Sequence, residues 1–152
     1  CWQGIEGIQL TSSPIGAVRV KEVGLSRSAM KQILYPVLMR LNKELPGILI
    51  GTGGTITTVA AMELGLSTYN PDLIHGMQLT AEQVKIWSRR LALMTLAEKK
   101  NIPGLHPERA DIIAAGVTIM EIILDGLKAE GLMVSEADLL WGLLLAQAQT
   151  AI

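Results

Sequence analysis

The feature that most constrains this chain is the cluster Gly51-Thr52-Gly53-Gly54-Thr55, set between an apolar triplet and a helix-forming segment. On its N-terminal side, Ile48, Leu49 and Ile50 form a wholly apolar run of the kind that becomes a strand buried on both faces of a sheet. On its C-terminal side, residues 55–64 are predicted helical, and Gly65 is a natural terminator. Glycines at such a junction let the backbone approach a ligand, because no Cβ stands in the way. The free N–H groups at the helix start point outward, and the helix dipole favours an anion there. Thr52 and Thr55 add hydroxyl donors. Phosphate binding and a tight structural turn both satisfy this pattern. It is not a Walker loop, since the Lys-Ser/Thr ending is missing, and it is not the Gly-x-Gly-x-x-Gly dinucleotide fingerprint.

The remaining segments predict an α/β layer arrangement with extra helices inserted before the last strand. Residues 4–22 read as extended, with Pro14-Ile15-Gly16 as a break, and this places Arg19 and Lys21 on the exposed face of a strand. Ser26 is expected to cap a helix with Met30, Ile33, Leu34, Val37, Leu38, Leu41 and Leu45 inward; Pro36 should kink it and Pro46-Gly47 end it. Residues 70–79 read as a loop with a short extended piece around His75-Gly76. Thr80 and Gln83 form a capping box that opens a helix with Val84, Trp87 and Leu91 inward. A short helix is expected over residues 96–102. A long one is expected from His106-Pro107 to about Ala129, apolar on most sides and therefore central. Leu132, Met133 and Val134 form the last strand, and Ser135 leads into a closing helix.

The 152 residues suffice for one domain, and 49% of them are hydrophobic, which opposes disorder. A net charge of −1 offers no general nucleic-acid surface, but a local anion site needs only a few donors. The single cysteine, Cys1, excludes an internal disulfide framework and a cysteine-built zinc cage, and fits a reducing, cytoplasmic setting. His75 and His106 are not at ligand spacing, so no metal site is assigned. No apolar run reaches membrane-spanning length. The start at Cys1, without an initiator methionine, reads as that of a fragment. Arg109 is expected in the first turn of the long helix, where it either pairs with Asp111 or Glu108 or reaches an anion. His75 reads as a hydrogen-bonded turn residue, and Ser135 and Glu136 as helix-start caps. No pair of acidic residues is placed as catalytic acid and base.

Several motifs follow one another in order: Ser13-Pro-Ile-Gly16-Ala-Val-Arg19, the Gly51 to Thr55 cluster, Ile74-His-Gly76, Pro103-Gly-Leu-His-Pro-Glu-Arg-Ala-Asp111 with Ala115-Gly116, Val134-Ser135, and Gly142-Leu-Leu-Leu145. Together they resemble the second domain of the exopolyphosphatase / guanosine pentaphosphate phosphohydrolase family, across nearly the whole chain. The resemblance implies a ribonuclease-H-like domain of the actin, heat-shock chaperone and sugar-kinase superfamily, truncated at its N-terminus. Residues 1–152 would be one domain of a two-domain parent that removes terminal phosphate from polyphosphate or guanosine pentaphosphate, with magnesium. Gly51, Thr52, Gly53, Gly54 and Thr55 would then bind phosphate, and Arg109 would help hold the polyanion. Arg19, His75, Ser135 and Glu136 are weaker candidates.

The family's Asp-x-Gly-Gly-Gly-Ser loop and its catalytic glutamate are not in this sequence. The resemblance therefore implies no catalytic residue and no bound magnesium here, with little activity in isolation. After Val134-Ser135 the family's Asp-x-Gly-Leu-Arg-Glu-Gly is replaced by Glu136-Ala-Asp138-Leu-Leu140-Trp141-Gly142. The alternatives are the ATP-binding half of an actin-fold kinase or ATPase, and a non-catalytic binding module on the same scaffold. The expected partner is the missing first domain. Trp2 and residues 5–10 offer an apolar surface for a homo-oligomer.

Overall fold

The computed structural model describes residues 2–4, 7–41 and 48–150, with the backbone alone for 2–4, 7–9, 149 and 150. Cys1, Ile5, Leu45, Pro46 and Gly47 lie outside the described residues, and so do the expected stop of the second helix and part of the expected self-association surface. The elements run β1 (Trp2–Gly4), β2 (Gly7–Gln9), α1 (Ala17–Val23), α2 (Arg27–Leu41), β3 (Ile50–Thr52), α3 (Gly54–Glu63) and α4 (Pro71–Ile74). They continue with β4 (Gln78–Thr80), α5 (Ala81–Leu93), α6 (Leu96–Lys100), a 3₁₀ turn (Pro107–Arg109), α7 (Ile113–Leu127), β5 (Gly131–Ser135) and α8 (Leu139–Thr150).

Strand β5 is the middle of a three-stranded sheet, with β3 parallel on one side and β4 antiparallel on the other. The register Gly51↔Val134 and Thr52↔Ser135 sets the ends of β3 and β5 side by side. β1 and β2 form a separate antiparallel hairpin. Helix α7 is the hub, because α1, α2, α3 and α5 all pack on it. It separates two apolar clusters. The larger holds Val59, Ile74, Leu79, Leu91, Ile113, Val117, Leu124 and Val134; the smaller holds Val20, Met30, Leu34, Leu38, Ile122 and Leu127. A helix apolar on most sides must be covered on most sides, and that is what the sequence of α7 predicts. Its one buried carboxylate, Glu121, accepts a bond from Arg27 at 2.7 Å.

Four expectations are corrected. Residues 17–23 are helical, so Arg19 and Lys21 stand on a helix rather than a strand. Three valines favour a strand locally, but burial of Val20 against Met30, Leu34 and Leu38 decides, and Gly24 at φ +66° closes the helix. β3 is an edge strand, so it is not buried on both faces: Ile48 is 76% and Ile50 58% exposed. The long helix does not begin at Pro107. Successive 3₁₀ bonds from Ala110 N–H to Pro107 O and from Ile112 N–H to Arg109 O turn the chain first, with His106 Nδ1 accepting from Glu108 N–H. Ser135 ends a strand instead of capping a helix; Asp138 caps α8, its Oδ1 accepting from Leu140 N–H at 2.9 Å.

The Ser26, Thr80–Gln83 and Gly65 signals perform as expected. A short helix, α4, occupies part of the expected loop because Asn70 Oδ1 accepts from Asp72 N–H and Pro71 sits at the first helical position. Along α8, Leu139, Leu140, Trp141, Leu143, Leu144 and Leu145 are each more than half exposed. No helix among the described residues is long and apolar enough to cross a membrane.

Candidate functional site

The glycine cluster sits where β3 hands over to α3, beside the end of β5. Gly53 adopts φ +95°, ψ 165°, a region open essentially to glycine alone, and it is the N-cap of α3. Among the described residues no side chain caps this helix. The carbonyl of Gly53 accepts from the N–H groups of Ile56 and Thr57, which begins the helical ladder, and Gly53 and Gly54 themselves line a groove. Gly51 is buried, with Ile56 and Leu132 side chains where a Cβ would stand.

Arg109 completes this corner. Its guanidinium lies across Gly54, so that a Cβ on Gly54 would be 1.8 Å from Nη1 and 2.7 Å from Cζ. Nη1 also donates to Thr58 Oγ1 at 3.5 Å, and Thr58 in turn donates to the Gly54 carbonyl. A cation is thereby held against a helix N-terminus, where the dipole opposes it. Among the described residues neither neighbouring carboxylate takes Arg109 as its partner. Asp111 pairs with Lys21, which holds its carboxyl below the usual range, and the Glu108 side chain is turned to solvent. The two like-signed ends meeting at Gly54 make a place for an anion.

The groove in front of them has a volume of about 690 Å³. Thr52, Gly53 and Gly54 form one side, Ser135, Glu136 and Asp138 a second, and the segment from Gly104 to Arg109 a third. Thr57, Thr58 and Tyr69 also face it. Ser135 Oγ accepts from Ala137 N–H at 3.1 Å, and Thr52 Oγ1 donates to the Ala137 carbonyl at 3.4 Å. Glu136 accepts a bond from the Tyr69 hydroxyl, and its own N–H donates to His75 Nδ1 at 3.2 Å. Burial and the bond to Glu136 push the Tyr69 phenol above its ordinary pKa, against the pull of Thr57 and Arg109.

The structure thus gathers Thr52, Gly53, Gly54, Arg109, Ser135 and Glu136 around one groove. It separates the others. Thr55 turns away to pack on α7, against Gly116, where a Cβ would be 2.4 Å from its Oγ1. Arg19 donates to the Pro14 carbonyl and does not line the groove. His75 acts one step back, orienting the backbone of Glu136. Sequence reasoning missed Thr57, Thr58 and Tyr69. The two threonines lie three and four residues beyond Gly54, the spacing that returns to one helix face. Tyr69 carries no comparable signal.

No group of three or more His, Cys, Asp or Glu side chains that would hold a metal ion occurs among the described residues. The described residues thus offer no protein-built cage for magnesium, an ion commonly held by one or two carboxylates together with substrate phosphates.

Comparison with known proteins gives a consistent result. A model of the Ppx/GppA phosphatase family matches residues 4–151. The chain is 29% identical over 153 residues to exopolyphosphatase 2 of Mycobacterium tuberculosis, covering 90% of this chain and 48% of that protein. It is 35% identical over 104 residues to a bifunctional 3-dehydroquinate synthase/phosphatase of Fusobacterium nucleatum, covering 68% of this chain and 15% of that protein. The crystal structure of the Aquifex aeolicus Ppx/GppA family member superposes with a TM-score of 0.81 at 28% identity, covering 95% of this chain and 50% of that one. The chain spans about half the length of the exopolyphosphatase and of the Aquifex protein. Its architecture is the actin-like α/β fold of those neighbours, as the sequence led us to expect.

Proposed function

The chain belongs to the Ppx/GppA phosphatase family, and on that premise we propose that it forms one wall of the substrate cleft of a phosphohydrolase acting on terminal phosphates of polyphosphate. Guanosine pentaphosphate is the second substrate we propose, since it presents the same terminal phosphoanhydride. The single observation that carries the reading is Arg109 laid across Gly54 at the uncapped start of α3.

In this reading the backbone N–H groups of Gly53 and Gly54, which line the groove, donate to phosphate oxygens, and the α3 dipole and the Arg109 charge neutralise them. Phosphoryl transfer depends mainly on such positioning and charge compensation. Water activation is assigned to the other half of the parent protein. Two carboxylates of the groove already have structural partners, Glu136 accepting from Tyr69 and Asp138 capping α8, and the third, Glu108, is turned to solvent. Magnesium, when bound in the parent, would supply further charge neutralisation at the phosphates, and we assign it no ligand in this chain. A partner half of the same protein closes the cleft, so the isolated chain turns over little substrate.

The test is phosphate release by the full-length parent, with magnesium, from polyphosphate, guanosine pentaphosphate and ATP. Turnover of either of the first two well above ATP is expected. A clear preference for ATP would instead favour a kinase or ATPase.

A further inference from the structure

The groove contains one arginine, Arg109, and three carboxylates, Glu108, Glu136 and Asp138. That composition sets a problem for any anion site. A guanidinium and a carboxylate within reach form a bidentate pair, and the carboxylate then occupies the place of the phosphate. A working site must therefore keep its own carboxylates off its arginine.

Two of the three stand apart from the arginine, one capping a helix and one turned to solvent. Asp138 accepts from the N–H groups of Leu140 and Trp141 at the start of α8. Glu108 stands beside His106 and is turned to solvent, with 89% of its side chain exposed. Glu136 is different. It follows directly on the end of β5, and among the described residues its side chain takes one bond, from the hydroxyl of Tyr69. Its backbone N–H is fixed by His75 Nδ1 at 3.2 Å. The Tyr69 ring comes from the segment between α3 and α4, whose end is held by the Asn70 cap. Tyr69, Glu136 and Arg109 all line the same groove, and the phenol is bonded to the carboxylate.

We propose that Tyr69 is a positioning residue for the anion site, its hydroxyl holding the Glu136 carboxylate away from Arg109 so that the guanidinium stays open to phosphate. The inference rests on the phosphate-binding reading of the groove and adds to it a residue that neither its sequence position nor the family resemblance had marked. A phenol is protonated, and so able to donate, in neutral solution.

The experiment uses the full-length parent and tripolyphosphate as the probe, with calorimetric titration of the wild type, Tyr69→Phe, Glu136→Gln and the double variant. Tyr69→Phe is expected to weaken binding about tenfold, the order of effect of one charge-assisted bond at a solvent-facing site. Glu136→Gln should bind at least as tightly as the wild type. The double variant should return to the Glu136→Gln value, because the competing charge is gone. A double variant as weak as Tyr69→Phe would mean that Tyr69 touches phosphate directly, and would overturn the proposal. Equal affinities for the wild type and Tyr69→Phe would overturn it too. A second readout is independent of phosphate: the side-chain NMR resonances of Arg109 should shift in Tyr69→Phe, as the Glu136 carboxylate moves onto the guanidinium, and should return in the double variant. If tripolyphosphate fails to bind the wild type, the phosphate reading falls, and the Arg109 resonances alone then decide the role of Tyr69. Arg109 resonances unmoved by Tyr69→Phe would sink it.

Discussion

Replacing Gly54 by alanine separates the anion-binding role of Arg109 from any structural role. A Cβ at this position would lie 1.8 Å from Nη1, 2.7 Å from Cζ and 2.8 Å from Nη2 of Arg109. No contact that close survives, so the guanidinium must leave its place over the α3 N-terminus. The atoms in the way are the far end of a flexible, solvent-facing side chain, and the helix itself has no objection. Gly54 is the first residue of α3, where alanine is a better helix former than glycine by up to about 1 kcal/mol. Net stability should change by less than about 1 kcal/mol, which is a melting shift of about 2–4 °C for a protein of this size. Anion binding should suffer more. Loss of one charge-assisted hydrogen bond costs about 1.5–3 kcal/mol, and its exposure places Arg109 near the lower end, close to a tenfold loss. The assay pairs thermal melts with tripolyphosphate titration of the full-length parent. Unchanged affinity with an unchanged melt would refute the reasoning, since the displaced guanidinium would then have contributed nothing to the site.

Gly104→Ala, as the contrasting control, should destabilise by roughly 2–5 kcal/mol, combining left-handed strain and overpacking; Gly104 has φ +84° and a Cβ there would meet the Ala61 backbone at 2.3 Å, and melts would show it. Burial pushes the Glu121 carboxyl up, but bonds from Arg27 and Ser88 and the charges of Arg27 and Lys85 outweigh it and leave it below 4.5. The unfolded chain then binds more protons between that depressed value and 4.5, so this contribution is complete above the window and fades as pH falls through it. In Arg27→Ala the burial effect is left less opposed, the Glu121 carboxyl moves back up toward or past 4.5, and this acid-linked loss should shrink: the variant should be less stable than the wild type at neutral pH and the gap should narrow as pH falls through the window, as melts across the acid range would record.

What the sequence makes legible is local chemistry with a fixed spacing. Thr80 and Gln83 are three residues apart and form the capping box they advertise. Gly65 at φ +62° ends α3, and the apolar middle of α7 requires burial on several sides. The glycine cluster and Arg109 meet because each is tied to an element end, although the expected helix start at Pro107 is wrong. That error matters, since the 3₁₀ turn there reorients the chain before α7 begins.

The failures share a cause. Whether residues 17–23 form strand or helix depends on where Val20 finds a cluster to enter, and Met30, Leu34 and Ile122 supply it from other helices. The exposure of Ile48 and Ile50 depends on β3 being an edge, which no local pattern announces. Tyr69 and Glu136 are 67 residues apart, and nothing in either neighbourhood foretells their bond. The assignment of Ser135 to a cap was reasonable by type, but Asp138 stood closer to the actual helix start.

The central claim is that the α3 N-terminus and Arg109 together form a phosphate-binding corner, and Arg109→Ala in the full-length parent tests it most directly. The Michaelis constant for polyphosphate should rise about tenfold or more, the value expected for one lost charge-assisted contact, with the melting temperature unchanged. Michaelis parameters equal to the wild type, or a loss of activity that follows a loss of folding, would contradict the account.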